Sequence, residues 1–145
     1  MKYRIGLDLG GTKVLGVVTD SSFNVIHRKK HRLFNRADIS DVMDQISNVY
    51  KELAENLVSG KVISVGIALP SPIDNELGEA KQLTAFKENN LPVRKMLKDR
   101  TNVEVKLGND VNMATLAEYN FGAGRGARSL FTFYPGTGLG GGYIH

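Results

Sequence analysis

Asp8-Leu-Gly10-Gly11-Thr12-Lys13 and Gly136-Thr137-Gly138-Leu-Gly-Gly-Gly142 hold the residue types that handle phosphate, each set between apolar segments of strand character. Glycine lets backbone N–H groups approach phosphate oxygens closely, Thr12 and Thr137 add hydroxyl donors, and Lys13 adds a positive charge. Two such hairpins facing one another can grip a nucleotide's phosphates from both sides. Either one alone is also what an ordinary tight turn requires. Neither cluster is a Walker A loop, which needs Gly, four residues, Gly-Lys and then Ser or Thr. The run from Gly136 to Gly141 has the form of a dinucleotide fingerprint, but no helix and no acidic residue some twenty positions on follow it in this sequence, so the Rossmann reading is set aside.

The second candidate is Gly108-Asn109-Asp110-Val-Asn112, where a strand feeds a helix. Asn and Asp are favoured helix caps, and a carboxylate in the first turn is stabilised by the helix dipole, so a structural role is open. A chemical role is open too. At the carboxyl end of a buried strand Asp110 can accept the proton of a hydroxyl attacking a phosphoryl group, while Asn109 hydrogen-bonds the same substrate. Asp8 divides similarly between a strand-end turn former and a carboxylate near a phosphate-bound Mg²⁺, a cation that keeps several waters and takes few protein ligands.

The elements that must position these residues can be read from periodicity. Tyr3, Ile5, Leu7 and Leu9 alternate with polar residues or glycine, and 14–19 and 24–31 supply two further strands, so the chain opens as an antiparallel meander. Ile39, Val42, Met43, Ile46, Val49, Tyr50, Leu53 and Leu57 fall on one helical stripe, with Asp38 or Ser40 as cap and Gly60 near the end. The apolar run 62–69 predicts a strand buried on both faces, halted by Pro70-Ser-Pro72. A helix over 91–100, a strand over 103–107 and a helix from about 109 to 121 complete an α/β order with a mixed sheet.

Composition bounds the rest. The chain has 145 residues, 41% hydrophobic, enough for the core of roughly one domain. A net charge of +4 suits an anionic ligand. The run His27-Arg-Lys-Lys-His-Arg32 has no interleaved aromatic residue and reads as a solvated strand end rather than a nucleic-acid contact. With no cysteine there is no disulfide and no thiolate zinc site within these residues. No apolar run approaches the roughly twenty residues of a membrane span, and Met1 leads almost directly into a strand, so the expectation is a cytoplasmic chain. Half of the 16 glycines lie in 122–142. That density suggests a hinge over 122–128 between one domain, 1–121, and whatever the last hairpin, 129–145, belongs to. Such a hairpin on its own is marginal in water, which predicts disorder or self-association through it.

Asp8 to Lys13, Ala68-Leu-Pro-Ser-Pro-Ile-Asp74, Asn109-Asp-Val-Asn112 with Ala117-Glu118, Phe121-Gly-Ala-Gly-Arg-Gly-Ala127 and Gly136 to Gly142, taken together and in order, resemble the N-terminal half of the ROK family of sugar kinases and sugar-responsive repressors. The resemblance implies an actin-like, hexokinase-type ATPase fold with two lobes, the first over 1–121 and the second incomplete, begun by the hairpin over 129–145. It implies Mg-ATP gripped by both glycine hairpins, through Gly10, Gly11, Thr12, Lys13, Gly136, Thr137 and Gly138. A hexose would lie against Ser71, Gln82, Asn109 and Asp110, with Asp110 as the base and Asp8 holding Mg²⁺ through water. Partners would be a sugar and ATP, not a membrane or nucleic acid, in a homo-oligomer. The sequence departs from the family pattern at Ser71, where Gly is usual, at Gly108, where Glu is usual, and at Lys81-Gln82-Leu83, where Pro-Asn-Leu is usual. The family's second lobe, with its sugar-binding Glu and His and its zinc knuckle, is not among these residues, so feeble or no turnover is expected of them alone. Kinase ancestry is favoured by the intact Asp8-to-Lys13 loop, with a sugar-sensing repressor or non-catalytic binding module as the alternative.

Overall fold

The structure is a computed structural model and describes residues 1–136 and 139–145. Strand β1 (Lys2–Leu9) buries Tyr3, Ile5, Leu7 and Leu9 on one side, as a two-residue period requires. It runs antiparallel to β2 (Lys13–Thr19), which pairs antiparallel with β3 (Val25–Arg32). Helix α1 (Ile39–Glu55) is capped by Asp38, whose carboxylate accepts the Ser40 N–H at 2.9 Å. Its stripe of Val42, Met43, Ile46, Val49 and Leu53 is buried. Each such side chain contributes about 1.5–3 kcal/mol on leaving water.

Strand β4 (Lys61–Leu69) returns parallel to β1. Strands β5 (Ile73–Asp74) and β6 (Glu79–Leu83), then a 3₁₀ turn at Thr84–Phe86 and β7 (Glu88–Leu91), form a separate three-stranded antiparallel sheet. Helix α2 (Val93–Thr101) leads to β8 (Glu104–Asn109), which lies parallel to β4, and α3 (Asp110–Phe121) follows without a break. Strands β9 (Leu130–Pro135) and β10 (Leu139–Ile144) form the final hairpin.

The main sheet has the order β3-β2-β1-β4-β8. Parallel neighbours require crossovers, and α1 and α2 supply them on the same face. Arg100 of α2 ties the two together by donating from Nε to Asp44 Oδ1 at 2.6 Å and from a terminal nitrogen to Ser40 Oγ at 3.0 Å. Helix α3 lies against the opposite face, so that face is covered only in part.

Three expectations need correction. The helix expected from 91 begins at Val93, because Leu91 closes β7 and Pro92 caps the helix. The small β5–β7 sheet was not anticipated: its strands are too short to show a period, its connections pass through left-handed Gly78 at φ 73° and Lys87 at φ 57°, and Asn90 within β7 is left-handed too, at φ 50°. The final hairpin is also not isolated. A Cβ on Gly140 would stand 2.8 Å from Val111 Cγ2, and one on Gly142 would stand 2.0 Å from Thr115 Oγ1, so these glycines let β10 lie directly on α3. Thr115 and Thr132 share a hydroxyl hydrogen bond of 2.5 Å across that contact. The 122–128 segment is a run of turns in which the N–H groups of Gly122 and Gly124 both donate to the Glu118 carbonyl.

Candidate functional site

The parallel strands end level with one another. Asp8 of β1 pairs with Ala68 of β4, and Ala68 with Gly108 of β8. Beyond such carboxyl ends the chain turns into loops and helix N-termini with unpaired N–H groups, the usual place for a ligand of an α/β sheet. Asp8 and Asp110 line one cavity of about 600 Å³ here, walled by Leu15, Val17, Val111 and Tyr134. Tyr134 brings the second hairpin to the same space as the first.

The two residues at the start of α3 have different surroundings. Asn109 is the cap: its Oδ1 accepts the Asn112 N–H at 3.1 Å, and its Nδ2 donates to the Ser71 carbonyl at 3.3 Å. Asp110 is the first helical residue and lines the cavity; its Oδ1 accepts the Val111 N–H at 2.8 Å. Partial burial pushes the Asp8 carboxyl above its usual pKa, the Asp110 carboxylate pushes it further, and Lys13 opposes both. Asp8 therefore feels both Asp110 and Lys13 electrostatically. Two carboxylates at one cleft make the charge pattern that a cation relieves.

The first hairpin is held from its protein side. The Gly10 N–H donates to the Lys13 carbonyl at 2.9 Å, the Thr12 carbonyl accepts the Leu33 N–H at 2.9 Å, and the Arg36 guanidinium donates to the Gly11 carbonyl. The Gly10 N–H is thus spent on the turn, whereas those of Gly11 and Thr12 have no partner among the described residues. The side chains of Thr12 and Lys13 are exposed. Gly136 sits exposed just after β9, while Thr137 and Gly138 lie outside the described residues.

A second cavity of about 540 Å³ adjoins Asn109 and is lined by Ser71, Asn75, Asn109 and Asn112 among others. Ser71 is 2% exposed, and its hydroxyl donates to the Pro72 carbonyl at 2.8 Å while accepting the Gln82 N–H at 2.9 Å. It is a post that fixes the loop after β4, with its one proton already committed. Gln82 enters the site through that backbone bond, its residue otherwise exposed on β6. Sequence reasoning missed Asn75, Asn112 and Tyr134 as cavity walls. The outward phase of Leu15 and Val17 on β2 was the legible sign that a second apolar surface existed.

The sequence model of the ROK family matches residues 4–145. The chain belongs to the ROK family. This ROK chain is 32% identical over 142 residues to a glucokinase of Thermotoga maritima, a match covering 97% of the chain and 44% of that protein. It is 26% identical over 149 residues to a xylose repressor of Bacillus spizizenii, covering 98% of the chain and 37% of that protein. The fold superposes with a TM-score of 0.86 and 28% identity on a ROK family glucokinase from Streptomyces griseus in complex with glucose and AMPPNP, covering 98% of the chain and 44% of that structure. The ROK chain therefore spans less than half the length of the glucokinases it matches. Its actin-like α/β fold is that of the family's sugar kinases. Among the described residues no helix is long and apolar enough to cross a membrane.

Proposed function

We propose that these residues form the base-bearing, phosphate-gripping half of an ATP-dependent hexose kinase. The observation that carries this reading is that Asp8 and Asp110 line one cleft at the carboxyl ends of β1, β4 and β8, with Lys13 of the glycine hairpin near enough to act on Asp8 electrostatically. In the proposed reaction a sugar hydroxyl lies against Asp110. The carboxylate takes its proton as the oxygen attacks the γ-phosphorus of ATP, the bond from that phosphorus to the bridging oxygen breaks, and ADP leaves. The hexose occupies the polar cavity beside Asn109, with Ser71 and the Gln82 backbone shaping its wall.

The free N–H groups of Gly11 and Thr12, the Thr12 hydroxyl and Lys13 hold the β- and γ-phosphates, and Gly136 approaches from the other hairpin. Among the described residues no cluster of three or more His, Cys, Asp or Glu is arranged for a metal. That suits Mg²⁺, which binds through one or two carboxylates plus phosphate and water, and Asp8 with its raised pKa is the carboxylate that gains most from it. Mg²⁺ would neutralise charge on the phosphates as the transfer proceeds.

The likeness to a xylose repressor supports a second reading, a sugar-sensing module that binds without turnover. The exposed Thr12-Lys13 hairpin favours the kinase. The deciding experiment joins this chain to a second ROK lobe and measures ADP formation from Mg-ATP across a panel of hexoses. Sugar-dependent ADP release supports the kinase, whereas sugar binding without ADP release overturns it in favour of the sensor.

A further inference from the structure

The loop between β3 and α1 holds the first glycine hairpin through its carbonyls. Arg36 on that loop donates to the Gly11 carbonyl, and the Leu33 N–H donates to the Thr12 carbonyl at 2.9 Å. Both peptide units that meet at Thr12 are therefore held by their oxygens. In a planar trans peptide the carbonyl and the N–H point to opposite sides, and among the described residues no peptide bond is cis. The Gly11 carbonyl and the Thr12 N–H belong to one such unit, so the guanidinium on one side sets where that N–H points on the other. The N–H has no partner among the described residues. Glycine lets a peptide turn over at little cost, because positive φ is open to it. Gly11 does not take positive φ, so one of the two orientations is held. The loop itself is pinned. Gln45 of α1 is buried; it accepts the Phe34 N–H at 3.1 Å and donates to the Phe34 carbonyl at 2.7 Å. Asn35 is left-handed at φ 46° and donates to the Asp41 carboxylate at 2.8 Å. Arg36 is exposed, and among the described residues no salt bridge competes for it.

We propose that Arg36 is a positioning residue of the phosphate hairpin: it pins the peptide between Gly11 and Thr12 so that the Thr12 N–H faces the phosphates of a bound nucleotide. The role rests on the phosphate grip proposed above and deepens it, since Arg36 acts through the peptide and not on the nucleotide. A hydrogen bond from a charged donor is stronger than a neutral one, which suits an exposed position where water competes for the carbonyl. Without Arg36 the glycine side of the peptide leaves it free to turn over. A peptide out of aim about nine-tenths of the time lowers the apparent affinity about tenfold, because only the competent fraction binds.

The test is NMR of the 145-residue chain, free and titrated with Mg-ATP, for the parent, Arg36→Ala and Arg36→Lys. Arg36 is exposed, so amide signals away from the hairpin should stay where they are in both variants. The first readout is the residual dipolar coupling of the Thr12 N–H in the free chain, which averages over the orientations that bond visits up to milliseconds. It should shrink towards zero in Arg36→Ala and recover in Arg36→Lys, whose ammonium can still donate to the carbonyl. The second readout is affinity: Mg-ATP should shift the Thr12 amide of the parent and bind Arg36→Ala about tenfold more weakly. Weaker binding with an unchanged Thr12 coupling means that Arg36 acts by its charge alone, and overturns the proposal. Parent-like binding by Arg36→Ala overturns it too, with the phosphate grip left standing. A parent chain that binds no Mg-ATP overturns the grip itself and this role with it.

Discussion

Gly140→Ala separates the reasons for glycine in the last hairpin. From sequence, the glycines of the Gly136–Gly142 run read as access of backbone to phosphate or as an ordinary hairpin turn. The structure gives Gly140 a different reason, because its Cβ would stand 2.8 Å from Val111 Cγ2, 3.6 Å from Cγ1 and 3.7 Å from Cβ. Gly140 lies in an extended strand, so alanine meets no backbone strain and the cost is steric alone. Inserting a methyl into such a contact costs about 1–3 kcal/mol. At about 3 °C per kcal/mol for a chain of this size, the melting temperature falls by about 3–9 °C. Val111→Ala removes the offending Cγ2 together with Cγ1 and leaves the new Cβ an ordinary 3.7 Å contact. The double variant should therefore melt above the sum of the single losses, with a coupling of about 1 kcal/mol. Differential scanning calorimetry of the four proteins reads this directly. Strict additivity would refute the packing account of Gly140.

Asn109→Asp keeps the cap on the Asn112 N–H but loses the donor to Ser71, whereas Asn109→Ala loses both, so alanine should cost about 1 kcal/mol more than aspartate in thermal melts. The raised pKa of Asp8 means that its folded carboxyl holds its proton to higher pH than the unfolded one. Its charge therefore works against folding at neutral pH and is relieved as pH falls. Asp8→Asn should raise the melting temperature near pH 7, and the gain should disappear below the ordinary aspartate pKa of about 3.9; a pH series of melts with a constant difference would contradict this. The hairpin keeps Phe131, Phe133, Leu139 and Tyr143 exposed, so sedimentation should show concentration-dependent association that is lost when residues after Arg128 are removed.

The main sheet was legible because its strands obey a strong period: Tyr3, Ile5, Leu7 and Leu9 alternate, and Val65, Ile67 and Leu69 sit in an apolar run. The α1 stripe was legible for the same reason, and Asp38 is the cap that its residue type promised. The β5–β7 sheet was not, because two- to five-residue strands joined through left-handed Gly78 and Lys87 leave no periodic trace. At the site, residue type assigned Asn109 and Asp110 different chemical roles but left open which of them caps α3. Asn and Asp are both favoured caps, and only the bond from Asn112 N–H to Asn109 shows which residue is the cap. The role of Ser71 was hidden for a different reason, since its two partners, Pro72 and Gln82, meet only once the small sheet has folded.

Asp110→Asn, in this chain joined to a second ROK lobe, puts the central claim to the most direct test. Single-turnover kinetics with Mg-ATP and hexose would be measured beside equilibrium binding of both ligands. Loss of the base should lower the rate of phosphoryl transfer by about 100-fold or more, with nucleotide affinity unchanged and the fold intact. An undiminished transfer rate would contradict the assignment of Asp110 and leave it, like Asn109, a residue of the helix start.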